Sequence, residues 1–139
     1  CRMSYGMGSE VDVERDRVTM VTEETRAMKA NVKWTVYHED ERELKPSSKK
    51  IKEDLDYLKK WFAWQPAWAH VDGRPLIFVY NGGGCEVVDR WMAASNGEWY
   101  VDLKIFSGYK DCPTQPDHWV RFDIMPSLVQ YCAPFDCLF

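Results

Sequence analysis

The chain has 139 residues with 18 basic and 22 acidic side chains, a formal net charge of −4. That balance lacks the dominant basic surface that phosphate backbones demand, so a nucleic-acid partner is not expected. No apolar run approaches the roughly 20 residues of a membrane span, and no membrane partner is expected either. Hydrophobic residues at 45% and charged residues at 29% are ordinary for a globular chain, and the length allows a single domain, residues 1–139, with a real core. Aromatic residues at 14%, seven of them tryptophan, exceed what such a core needs. The surplus could stack on the apolar faces of sugar rings.

The first residue is Cys1 and the chain stops abruptly at Cys137-Leu138-Phe139. This reads as a piece cut from something longer, a processed product being the alternative. Cysteines at 1, 85, 112, 132 and 137 are odd in number and show no Cys-x-x-Cys spacing. His38, His70 and His118 are not spaced with them as zinc ligands would be, so no metal or organic cofactor is expected. An oxidising compartment would allow Cys112 to pair with Cys132 or Cys137, and the compartment reading leans extracytoplasmic.

In chain order, Cys1–Tyr5 reads as the end of a strand opening into Gly6-Met7-Gly8-Ser9. Asp16–Ala30 reads as a helix with Val18, Val21, Thr25 and Met28 on one face, stopped at Asn31. Val32–Tyr37 follows as a strand of β-branched and aromatic residues. After an acidic loop, Pro46-Ser47-Ser48 predicts a helix start with Ser47 or Ser48 as N-cap. Ile51, Leu55, Leu58 and Phe62 form its apolar stripe, and Lys49/Glu53, Lys52/Asp56 and Asp56/Lys60 pair on the opposite face.

An aromatic connector, Trp61–Val71, leads to an Asp72-Gly73 turn and the strand Leu76–Tyr80. The unbroken apolar run of that strand predicts cover on both sides, as in a parallel sheet. Gly82-Gly83-Gly84 lacks both the P-loop Lys-Ser/Thr and dinucleotide spacing, so it reads as a flexible loop. Cys85–Ser95 is the next helix, with Val88 and Trp91/Met92 inward and a stop at Asn96-Gly97. Trp99–Phe106 is the following strand, whereas residues 123–139 carry no clean period. The alternation β-α-β-α-β gathers reactive groups at the C-terminal strand ends.

Those ends supply the candidate site. Glu39 follows the first strand two residues after Tyr37 and shares its direction if the extended geometry continues. Tyr80-Asn81 closes the next strand with a hydroxyl and an amide. Lys104 is unusual in an apolar strand, because an ammonium without a partner is costly to bury. It marks either a polar pocket or an edge strand facing solvent. Glycoside hydrolysis uses two facing carboxyl groups, and no convincing partner for Glu39 emerges from Asp102, Asp111 or Asp117.

The run Lys33-Trp34-Thr35-Val36-Tyr37-His38-Glu39, the helix Ile51-x-x-Asp54-Leu55-x-Tyr57-Leu58, Pro66-Ala67-Trp68 and Val71-Asp72-Gly73-Arg74-Pro75-Leu76-Ile77-Phe78-Val79-Tyr80 come in a telling order. Together they resemble the glycoside hydrolases of families 99 and 71, and more closely their bacterial 71/99-like relatives. Lys104-Ile105-Phe106-x-Gly108-Tyr109, Gln115-Pro116-Asp117-x-Trp119 and the Gly6-Met7-Gly8-Ser9 loop fit the same pattern over roughly residues 4–122. The resemblance implies a (β/α)8 TIM barrel acting on α-linked glycans, α-mannoside in family 99 and α-1,3-glucan in family 71. In its terms Glu39 matches a substrate-contacting glutamate, while the catalytic glutamate pair sits in an Asn-Glu-Trp-x-Glu segment that this chain lacks. Asn81 stands where family 99 has an aspartate.

The fold expectation is therefore α/β, a partial (β/α)8 barrel of parallel strands alternating with helices, with Tyr37, Glu39, Tyr80, Asn81 and Lys104 facing an oligosaccharide or polysaccharide substrate. The alternative is a non-catalytic carbohydrate- or partner-binding α/β domain. A partial barrel leaves sheet edges open, so self-association through them is expected.

Overall fold

The computed structural model describes residues 2–4, 13–38, 45–80 and 83–121. The expectations for Glu39, Asn81, the Gly6–Ser9 loop and residues 123–139 lie outside them. Among the described residues the elements run β1 (Arg2–Ser4), α1 (Val13–Ala30), β2 (Trp34–His38), α2 (Ser48–Leu58), β3 (His70–Val71), β4 (Arg74–Val79), α3 (Cys85–Ser95), β5 (Tyr100–Lys104) and β6 (His118–Val120). The strands pair in the order β1-β2-β4-β5-β6, every neighbour parallel, with β3 added antiparallel to β4. The expected α/β class with a parallel sheet is what the structure shows.

The path follows chain order without reversal. A doubly wound sheet instead reverses its strand order at a switch point and carries helices on both faces. Here α1, α2 and α3 all bury side chains in one apolar cluster, which also takes Trp34 and Val36 of β2, Ile77 and Val79 of β4, and Val101 and Leu103 of β5. Side chains alternate along a strand, so Tyr37, Leu76, Phe78 and Val120 fall in a second cluster, with Tyr80 and Tyr100 packed against it. The helices are thus on one side of the sheet and the second cluster is on the other.

Local chemistry explains most boundaries. Ser47 caps α2, its hydroxyl accepting from the Lys50 N–H at 3.2 Å, and Ile51, Leu55, Leu58 and Phe62 are all buried as the stripe demands. Lys52 meets Asp56 at 2.9 Å, and Lys50 meets Asp54 at the same distance. A π-type turn, Lys59–Ala63, carries α2 into the aromatic connector. α3 occupies the expected Cys85–Ser95, ended by Asn96 in the left-handed region with its N–H on the Met92 carbonyl. Gly84, at φ 121°, precedes α3 with a backbone that a side chain would strain.

Two short strands went unread. Asp72 and Gly73 both have positive φ, the geometry of a two-residue hairpin turn, and so fold β3 back on β4. β6 is a three-residue strand set beside β5. The face expected for α1 needs correcting: Val21, Thr25 and Met28 are exposed, and α1 buries Met20, Glu24 and Ala27 instead. These stripes lie side by side on the helix, and the acid at 24 made the true inner stripe look solvated. No helix among the described residues is long and apolar enough to cross a membrane.

Candidate functional site

The face of the sheet away from the helices carries a polar line along β5. Tyr100, Asp102 and Lys104 alternate with Val101 and Leu103, which are buried on the helix side. Each of the three meets a side chain from a neighbouring strand. Lys104 places its ammonium 3.8 Å from the ring centroid of Tyr80, the residue that follows β4. Tyr80 tilts against Tyr37 of β2, their centroids 5.8 Å apart. The structure therefore brings three of the five expected site residues together at the C-terminal ends of three adjacent parallel strands, Tyr37 buried beneath and Tyr80 and Lys104 partly exposed. Lys104 is on an inner strand between β4 and β6, so the edge-strand alternative falls away.

One layer down, Asp102 Oδ1 lies 3.1 Å from His118 Nδ1, the residue directly across on β6. The carboxylate is almost sealed, its side chain 7% exposed against 49% for His118. Burial pushes the Asp102 carboxyl up to about 6, against the opposing pull of His118. The sequence left Asp102 without a partner, because β6 was not legible as a strand.

At the start of the strands Arg74 lies over the Tyr100 ring at 5.1 Å and donates to Asp117 Oδ1 at 2.7 Å. Asp117 Oδ2 in turn accepts from the Val101 N–H at 2.9 Å. The Gln115 amide accepts from Trp119 Nε1 at 2.8 Å and donates to the Cys112 carbonyl at 2.7 Å. The Gln-Pro-Asp-x-Trp word is thus a clasp that seats β6 and the loop ahead of it. Its side chains are occupied with structure.

The loops after β4 and β5 are bonded to each other: Cys85, at the start of α3, forms a disulfide with Cys112, Cα atoms 5.3 Å apart. This corrects the expected partners of Cys112, Cys132 or Cys137. Loops that follow adjacent parallel strands emerge side by side, which outweighs nearness in sequence. The link closes a 27-residue separation.

His38 ends β2 but faces the helices, its ring edge-on to Trp91 at 4.9 Å. Burial, with a smaller push from Lys50, holds its pKa down at about 4, so it is neutral at ordinary pH. Its Nδ1 is buried without a hydrogen-bond partner. Among the described residues no group of three or more His, Cys, Asp or Glu is placed to hold a metal ion. Comparison with protein-family models, with curated proteins and with solved structures gives no match.

Proposed function

We propose that these strands are a stretch of a (β/α)8 barrel, and that the chain is a glycoside hydrolase-like protein of the family 71/99-like kind carrying part of the face that binds α-linked glycans. Support for the barrel is the chain-ordered parallel path with α1, α2 and α3 on one side. The observation that carries the function is the meeting of Tyr37, Tyr80 and Lys104 on the opposite side, at the C-terminal strand ends. Aromatic surface suits the C–H faces of a sugar, and an ammonium with three donors suits its hydroxyl oxygens. The Tyr80 ring holds the Lys104 ammonium in place, so little side-chain freedom is lost when a ligand accepts from it. Glu39 joins this face as a substrate contact on the resemblance alone, and the catalytic glutamate pair lies outside this chain.

Isothermal titration with α-mannobiose and α-1,3-linked gluco-oligosaccharides tests the reading. Wild-type chain binds at least one of them, and Lys104→Ala or Tyr80→Ala weakens binding at least about tenfold. A folded chain that binds neither ligand contradicts it. Self-association through the outer edges of β1 and β6 belongs to the same proposal. A monodisperse monomer in sedimentation would remove it.

A further inference from the structure

Asp102 and His118 sit opposite each other on strands whose backbones are already paired, so their side-chain bond is not needed for register. Burying a carboxylate there works against stability, as its raised pKa records. An ionised carboxylate can only accept, so the hydrogen of the 3.1 Å contact belongs to His118 Nδ1. An imidazole that carries its single hydrogen there keeps its lone pair on Nε2, on a half-exposed ring. Among the described residues the other charged or titratable groups of this face are engaged elsewhere: Arg74 with Asp117, Tyr100 beneath Arg74, Tyr37 against Tyr80, and Lys104 over Tyr80.

We infer that His118 is a hydroxyl-recognising residue of the glycan site, positioned by Asp102 so that Nε2 accepts a hydrogen bond from a sugar hydroxyl. This rests on the glycan reading above. Lys104 stands two residues further along β5 than Asp102, about 6.6 Å by the strand rise, within reach of a single sugar residue. Lys104 can only donate and Nε2 can only accept. A hydroxyl does both, so the pair selects polyhydroxylated ligands over ligands that only accept.

Two substitutions separate the ring nitrogens. H118N keeps an amide donor where Nδ1 stood and removes the outer acceptor, whereas H118Q places an amide oxygen near the position of Nε2. The probes are α-mannobiose and α-1,3-linked gluco-oligosaccharides, titrated at pH 7.5, with long-range proton–nitrogen spectra of the wild-type imidazole. The inference predicts a hydrogen on Nδ1, binding about 5- to 10-fold weaker in H118N, and most of that loss recovered in H118Q. Unchanged binding by H118N, or a hydrogen on Nε2, overturns it. If Lys104→Ala weakens binding and H118N does not, this inference fails alone. If the wild-type chain binds neither ligand, the glycan reading fails and takes this one with it.

Discussion

The two faces of the one sheet obey different rules. On the helix side β2, β4 and β5 present Trp34, Val36, Ile77, Val79, Val101 and Leu103, packed with Trp68, Trp91 and Trp99; the polar exception among these strands is His38, held neutral. On the far side the same strands present Tyr37, Tyr80, Tyr100, Asp102 and Lys104, and β6 adds His118. Apolar packing alone accounts for the first face. The second keeps a desolvated carboxylate and a half-buried ammonium that an aliphatic core would not choose, and the proposed glycan site rests on that difference.

The largest expected contrast is in stability. Trp91→Ala, on the helix side, should lower the unfolding free energy by about 3–5 kcal/mol in urea titration. Lys104→Ala, on the far side, should change it by under about 1 kcal/mol. Equal losses would erase the distinction. Replacing Cys85 and Cys112 together with serine should cost about 3.5 kcal/mol by chain entropy for the 27-residue separation. A cost near zero would mean that the two loops are held by other contacts.

His38 and Asp102 respond to acid in opposite senses. His38 binds its proton more weakly when folded, so its contribution is full above about 6.5 and is lost as pH falls towards about 4. Asp102 binds its proton more tightly when folded, so its contribution is full below about 3.8 and is lost as pH rises through about 6. Burial moves Glu24 in the same direction as Asp102. The His38 and Asp102 shifts each correspond to about 3 kcal/mol across their windows, so in the wild-type chain they largely offset each other. His38→Leu should therefore become more stable on going from pH 7 to pH 4.5, and Asp102→Asn less stable. Melts that move in the same direction for both variants would refute the assignment. Least of all should Lys52→Ala matter, by roughly a few tenths of a kcal/mol, since its pair with Asp56 is exposed.

Much of the scaffold was legible because local chemistry and burial agree there. The stripe Ile51-Leu55-Leu58-Phe62, the Ser47 cap and the Asn96-Gly97 stop each say the same thing at two levels. The inner face of α1 was not, because Glu24 sits in the middle of it and Met28, apolar, points out. β3 and β6, at two and three residues, are too short to show a period; their partners in β4 and β5 define them. Tyr37, Tyr80 and Lys104 could be picked out as strand-end residues, and folding places them together. His118 and the Cys85–Cys112 link could not, since each depends on which loops and strands end up adjacent.

The central claim is that the face away from the helices is the ligand face. Nuclear magnetic resonance of the chain titrated with an α-1,3-linked gluco-oligosaccharide and with α-mannobiose tests it most directly. The account predicts shift changes clustered at Tyr80, Lys104 and His118, with the side chains of Trp34 and Trp91 unmoved. Changes centred on the helix side, or none with either sugar in a folded chain, would contradict it.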